Sequence, residues 1–399
     1  MSTTQPYDPS AIFSRPESPG RSAPRVFVAP QRYVQGEGVL NGTGRYLSLL
    51  RVKRVAILMS VRGQASEGKQ LIRSLKSEGI ESEVRTFGGE CSLAEVEIHR
   101  SALQGRADCL IAVGGGKCVD AGKSIAYRLG IPVVIIPTLA SNDAPCSALS
   151  VLYEPSGAFS GFEFFPDSPA LVIVDTALIA AAPERFLVAG MGDAMATWYE
   201  SRACLANPAG VNALSSRPTL ATSALGEVCA HTLFNEGLAA ADAVRQHKVD
   251  ENLENVVEAN TLLSGLGFES GGVAVAHGVA QTCTMFPDVD ARFLHGEMVA
   301  VGTLIQLALE SNTNEALKVA EFFARVGLPV NMHQLSLDIR DSSTLDTLID
   351  GTLAWPFTIN MPFTVDAGTL NTAIRKFDEI GSSVVEEHGD AAYRRLRMD

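Results

Sequence analysis

The sequence predicts an α/β domain built on a parallel sheet, followed by an all-α domain. Three observations predict it. Between Val55 and Val174, apolar runs of strand length alternate with stretches of helical periodicity. A glycine turn, Gly114-Gly115-Gly116-Lys117, stands between one such run and the next helical stretch. From Pro183 onward only helical periodicity remains. Strands that alternate with helices imply right-handed crossovers and a sheet covered on both faces, a Rossmann-like arrangement. The boundary falls near Ala182, giving a tail over 1–24, an α/β domain over 25–182 and an all-α domain over 183–399.

Taken in order, residues 1–24 are rich in Ser and Pro and poor in periodic apolar positions, the composition of a disordered tail. Arg25–Ala29 is expected as a short strand, and Gly36, Gly38 and Gly44 punctuate a loop. Strands are expected at Val55–Met59, Glu83–Phe87, Cys109–Val113, Pro132–Ile136 and Leu171–Val174, with helices at Ser66–Glu78, Leu93–Gln104 and from the glycine turn to Leu129. Leu149–Tyr153 and Phe159–Phe164, joined by Glu154-Pro155-Ser156-Gly157, have the pattern of a hairpin. In the second half, helical periodicity marks Ala189–Leu205, Thr219–Asn235, Leu253–Leu266, Gly271–Thr284, Glu297–Leu309 and Asn314–Val326.

Composition narrows the function. Of 399 residues, 46% are hydrophobic and 19% charged, enough to bury a large core, and the net charge of −13 argues against a nucleic-acid partner. No apolar run reaches the roughly 18 residues that span a bilayer, so no membrane partner is expected. The seven cysteines are scattered without a Cys-x-x-Cys pair and read as unpaired buried thiols in a reducing compartment, the cytoplasm.

Two groups of residues carry chemistry. Glycines between a strand and a helix let a backbone approach a ligand, and the free N–H groups and dipole of the helix start favour a pyrophosphate. A plain tight turn would also explain them, and Val119 departs from the usual dinucleotide fingerprint. In the helical half, Asp193 lies in Gly190-Met191-Gly192-Asp193-Ala194, His277 in Ser270-Gly271-Gly272-Val273-Ala274-Val275-Ala276-His277-Gly278, and His295 in Phe293-Leu294-His295-Gly296-Glu297. A carboxylate among small apolar residues is unusual, although Asp193 could be a helix cap after Gly192 and a lone histidine is more often a core residue. One carboxylate and two imidazoles make a suitable open catalytic site for Zn²⁺ or Fe²⁺.

The turn Gly114-Gly115-Gly116-Lys117-x-x-Asp120-x-x-Lys123, the run Pro137-Thr138-Leu139-Ala140-Ser141-Asn142-Asp143-Ala144-Pro145-Cys146-Ser147-Ala148-Leu149-Ser150 and the three motifs above resemble, in the same order, the glycerol dehydrogenases of the iron-containing alcohol dehydrogenase superfamily. The resemblance covers about Arg32 to Pro329 and implies the two-domain fold shared with dehydroquinate synthase. It implies Asp193, His277 and His295 as ligands of one divalent metal, with zinc expected over iron. Gly114, Gly115 and Gly116, with Lys117 and Asp120 beside them, become the pyrophosphate turn of an NAD site. Thr138, Ser141 and Ser147 line the nucleotide, Leu149 and Tyr153 lie near the nicotinamide, and Asp143 and Phe268 face a small polyol. On chemistry alone, Asp143 suits a substrate bearing several hydroxyl donors, and Asp120 with Lys123 has the spacing of a helix-surface ion pair. His99, His231, His247, His333 and His388 match no motif and read as structural or surface residues.

Two departures stand out. Where the family carries an acidic residue for the adenosine ribose, this chain has Ser60 with Arg62 nearby, so NADP is expected to be tolerated beside NAD. Where close relatives place His and then Asn after the first histidine ligand, it has Ala280 and Gln281, which bears on the choice of substrate. The expected function is metal-assisted oxidation of glycerol or a similar vicinal diol to the hydroxyketone by a homo-oligomer. The alternatives are an NADPH-dependent reductase of small aldehydes or ketones, a dehydroquinate synthase-like lyase, which would need a Lys or Arg cluster that is not found near His277 or His295, and a non-catalytic metabolite binder, which would have lost a ligand.

Overall fold

Residues 7–14, 23–155 and 157–398 are described by a computed structural model of the chain. Much of the expected tail lies outside the described residues; its described part carries one helical turn, Ser10–Phe13. Arg25–Ala29 forms no strand. Only Arg25 makes a bridge, to Arg217, and Val28 N–H donates to Ser270 Oγ at 3.0 Å, so the segment is held by the helical half rather than by a sheet.

The sheet begins instead with β1 (Tyr33–Gly36) and continues through β2 (Arg54–Met59), β3 (Glu81–Thr86), β4 (Cys109–Gly114) and β5 (Val133–Pro137). The hairpin strands are β6 (Leu149–Tyr153) and β7 (Phe159–Phe164), and β8 (Leu171–Asp175) closes the series. Six strands pair in the order β1-β8-β5-β4-β2-β3, all parallel, while β6 and β7 form a separate antiparallel ribbon. The helices α1 (Glu67–Ser77), α2 (Leu93–Leu103) and α3 (Gly116–Leu129) make the crossovers. Each forms for a local reason: α1 buries Leu71 and Leu75, one turn apart, and the Ser92 side chain caps α2 by accepting from Glu95 N–H. Alternate residues of β2 and β4 serve two cores. Val55, Ile57, Ile111 and Val113 face one, whereas Ala56, Leu58, Leu110 and Ala112 face another that runs on into the helical half. The strand order reverses between β2 and β4, which is where open α/β sheets bind ligands, and Ser60 and Gly114 end or follow those two strands.

The helical half contains α4 (Glu184–Ala206), α5 (Leu220–Arg245), and α6 (Glu251–Glu258), which continues through a π turn, Ala259–Leu263, into α7 (Ser264–Gly271). Then come α8 (Val275–Cys283), α9 (His295–Leu309), α10 (Thr313–Val326), α11 (Ser342–Ala354) and α12 (Ala367–His388). α4 is buried on nearly every side between Leu187 and Cys204, as a helix apolar all round must be, and it packs on α5, α7 and α9. The single helix expected over Gly271–Thr284 is broken. Gly272 adopts φ +96°, a conformation L side chains rarely take, and this turn resets the chain so that α8 starts at Val275. Among the described residues no helix is long and apolar enough to cross a membrane.

Candidate metal centre and nucleotide cleft

Three helices bring the expected ligands together. Asp193 lies in the middle of α4, not at a cap; His277 lies in the first turn of α8; His295 is the first residue of α9. The approach of α4 to α9 requires glycine on both. A Cβ on Gly192 would stand 2.3 Å from the carbonyl oxygen of Gly296, and one on Gly296 would stand 1.8 Å from that of Ala189. Backbone therefore lies on backbone, and the neighbours Asp193 and His295 meet.

Asp193 Oδ1 is 3.5 Å from His277 Nε2 and 3.5 Å from His295 Nε2. It is buried and, among the described residues, has no hydrogen-bond partner. A lone buried carboxylate oxygen is costly unless something positive satisfies it. Two ligand atoms bound tetrahedrally at about 2.1 Å stand roughly 3.4 Å apart, so the spacing fits one divalent metal ion. Among the described residues this is the one group of three His, Cys, Asp or Glu side chains placed to hold a metal.

Glu200, seven residues beyond Asp193 on α4, is the group sequence reasoning missed. Its Oε1 accepts from Ala274 N–H at 2.7 Å and His277 N–H at 3.0 Å, and its Oε2 from His277 Nδ1 at 2.5 Å. A carboxylate only accepts, so Nδ1 carries a proton and Nε2 is the ring nitrogen left facing Asp193. Burial works against protonating His277, but Glu200 and Asp193 outweigh it and hold the imidazole well above its usual range. Burial raises Asp193, but His295 and His277 outweigh it and keep the carboxylate charged; burial also lowers His295, whose side chain is half open to the cleft. Phe268 stacks on His277, with ring centroids 6.4 Å apart at 19°.

Asp143 lies beside this corner. Its backbone N–H donates to Asp193 Oδ2 at 3.3 Å and its own Oδ2 accepts from Ser264 Oγ at 3.2 Å. Burial, then the charge on Asp193, push its carboxyl well above the usual range. The loop around it is tied to α4 by Asn260, whose amide donates to the carbonyls of Ala140 and Leu187 at 3.0 Å.

The glycine turn opens α3 with no side-chain cap, which leaves its first N–H groups open as helix geometry dictates. A Cβ on Gly114 would stand 2.8 Å from the Cβ of Cys118 and one on Gly116 2.6 Å from Asn142 Nδ2, whereas one on Gly115 would meet only Leu139, at 3.4 Å. Several polar side chains expected at the nucleotide are used inside the fold. Lys117 pairs with Glu90 at 2.7 Å and lies over the Tyr153 ring. Asp120 and Lys123 are not a surface pair. They are buried at 2.9 Å, because the hairpin covers that face of α3; Asp120 accepts from Val151 N–H, and Lys123 donates to the carbonyls of Ala144 and Leu149 and to Ser147 Oγ. Thr138 and Ser141 remain partly open, and Leu149 and Tyr153 share one face of the hairpin. Ser60 Oγ accepts from Gly63 N–H as a helix cap, and the Glu67 carboxylate folds over Gly63, so an acidic group does stand at this loop. Outside the site, His99 pairs with Glu95, His247 bonds the Ala180 carbonyl, and all seven cysteines are buried free thiols.

Residues 30–176 match the family model of the iron-containing alcohol dehydrogenases. The chain is 41% identical over 368 residues to glycerol dehydrogenase of Escherichia coli, covering 91% of this chain and 99% of the relative. It belongs to the iron-containing alcohol dehydrogenase family and is an alcohol or polyol dehydrogenase that uses a nicotinamide cofactor and a metal ion. Within the family it stands close to the glycerol dehydrogenases: the solved structure of that enzyme from Schizosaccharomyces pombe superposes with a TM-score of 0.86 at 34% identity, covering 92% of this chain and 93% of the other. Glycolaldehyde reductase of Halobacterium salinarum is 38% identical over 363 residues, covering 90% of this chain and 98% of that one.

Proposed function

We propose that the chain oxidises glycerol, or a similar small vicinal diol, to the hydroxyketone. The observation that carries this is the buried, unpaired Asp193 Oδ1 between two imidazole nitrogens. When bound there, a divalent metal supplies Lewis acidity to a substrate hydroxyl, and the nicotinamide supplies the hydride acceptor. Asp193, His277 and His295 would hold the ion, which we read as zinc because hydride transfer asks no redox change of it. Glu200 sets the tautomer of His277. Asp143 would orient the second hydroxyl, with Phe268 packing on the carbon chain. Gly114–Gly116 would receive the pyrophosphate through backbone N–H groups, and Thr138 and Ser141 the nucleotide. Ser147 would act through its backbone, since its hydroxyl is engaged. Near α9, Arg185 and Arg397 are committed to Glu297, Arg202 to Glu310, and Arg292 donates to Ser336 Oγ, which speaks against a lyase needing free cations.

At the ribose end, Ser60 and Arg62 support tolerance of NADP, and Glu67 supports NAD as the better cofactor. Seven buried thiols support a reducing compartment, the cytoplasm. The similarity to a glycolaldehyde reductase favours one second reading, reduction of a small aldehyde on the same scaffold. Initial rates with glycerol, 1,2-propanediol and glycolaldehyde, with each nucleotide, on metal-reconstituted protein separate the two. Glycerol with NAD is expected to lead; a higher kcat/KM for glycolaldehyde with NADPH would overturn that.

A further inference from the structure

Glu269 is buried in α7, directly after Phe268, in the half of the molecule that carries the metal ligands. Its Oε1 reaches across to accept from Ala148 N–H at 2.9 Å, while Oε2 is enclosed without a partner. Ala148 stands between Ser147 and Leu149, at the root of the β6–β7 hairpin. Lys123 grips the same root from the sheet side through the Leu149 carbonyl at 2.5 Å and the Ala144 carbonyl at 2.8 Å. Farther out on the hairpin, Phe162, paired with Val151 and so on the face that bears Leu149 and Tyr153, meets Trp355 edge-on with centroids 6.0 Å apart. The Trp355 indole in turn lies against Gly278, the residue after His277. These two contacts tie the hairpin to the helical half. Its root tie is a buried hydrogen bond donated by Ala148 N–H to an acid that, among the described residues, has no other hydrogen-bond partner.

Hydride transfer demands near-contact of the two carbons, and a displacement of about 1 Å can cost on the order of 100-fold in rate. An element that carries one reacting partner on the sheet half must therefore be registered against the half that carries the other. We propose that Glu269 is a positioning residue for hydride transfer: by holding the Ala148 N–H from the metal-bearing half, it fixes where Leu149 presents the nicotinamide to the substrate carbon. This rests on reading Leu149 as a nicotinamide contact. Glu269 itself touches neither substrate nor cofactor. A Gln in its place keeps the accepting oxygen, whereas Ala leaves the Ala148 N–H unpaired.

The test compares Glu269→Ala and Glu269→Gln with wild type in zinc affinity, NADH affinity, kcat with glycerol, and the deuterium isotope effect on kcat with perdeuterated glycerol. For Glu269→Ala, kcat should fall roughly ten- to a hundredfold and the isotope effect should rise, with both affinities within about threefold of wild type. Glu269→Gln should restore kcat to within about threefold. Should the alanine variant fail to fold, Glu269→Met, which fills the space but accepts no hydrogen bond, carries the same expectation. Wild-type kcat and isotope effect in the Ala or Met variant would overturn the proposal, as would zinc affinity and kcat falling in step. A Leu149→Ala variant with unchanged NADH affinity and NADH emission would instead overturn the underlying reading of the nicotinamide site.

Discussion

The two halves of the molecule treat their polar side chains in opposite ways. In the α/β half, Lys117, Asp120, Lys123 and Ser147 all lie near the glycine turn, and all are spent on partners within the fold. What that half leaves open beside the glycine turn is mainly backbone, at the uncapped start of α3, with Thr138 and Ser141 partly open nearby. In the helical half the backbone is spent, helix against helix at Gly192 and Gly296, and a carboxylate oxygen is left without a partner. The contrast matches the ligand proposed for each half. A pyrophosphate can be held by N–H groups and a helix dipole, whereas a cation needs lone pairs at fixed separations.

The largest effect should come from disturbing the helix contact. Gly192→Ala puts a Cβ 2.3 Å from a backbone oxygen that cannot swing away. α4 and α9 must then separate, at about 3 kcal/mol of misfit. Zinc affinity, measured by chelator competition, should drop roughly 100-fold, while NADH affinity changes little.

Next in size is a pH effect at Glu269. Burial pushes its carboxyl up to about 7, against the downward pull of the Ala148 N–H and Lys123. A folded pKa above the unfolded one means that the folded state keeps a proton the unfolded state has lost. Wild type therefore loses stability as pH rises from about 4.5 to 7, by on the order of 2–3 kcal/mol. Glu269→Gln lacks this loss. Urea titrations should show the variant's advantage growing across that window and vanishing at its acid end; an advantage constant with pH would contradict the assignment.

Glu200→Gln sharpens the same contrast within the metal corner. An amide can donate to His277 Nδ1, which moves the ring proton to Nε2, where the metal must bind. Zinc affinity should fall about 10- to 100-fold, without loss of helix content by circular dichroism. The smallest effect belongs to Gly115→Ala. Its Cβ has room beside Leu139 and its φ of −80° suits any residue, so the fold should not change. A loss of about tenfold in NADH affinity would then report the close approach of the ligand, and no loss would mean that the glycine serves only the turn.

Much of the first half can be read locally. A strand buried on both faces announces itself as a continuous apolar run, so the strands from β2 to β8 lie within a few residues of where periodicity puts them. Arg25–Ala29 misleads because an apolar run says nothing about whether a neighbouring strand is there to pair. Asp120 and Lys123 mislead because their spacing does not say which face of α3 the hairpin will cover. The proposed metal ligands, 84 and 18 residues apart in succession along the chain, become neighbours only through helix packing, and it is their motifs rather than their spacing that single them out. Glu200 and Glu269 look like ordinary helical acids. For Glu200 one signal was available: it lies seven residues after Asp193, hence on the same face of a helix otherwise apolar at that depth.

The central claim is that Asp193, His277 and His295 hold one catalytic divalent ion, and titration of chelated protein tests it most directly. Glycerol oxidation with NAD should be lost on exhaustive chelation and return linearly with added zinc, breaking at one equivalent per chain. His277→Ala should fold but recover nothing. Full activity in the metal-free protein, or recovery in His277→Ala equal to wild type, would contradict the account.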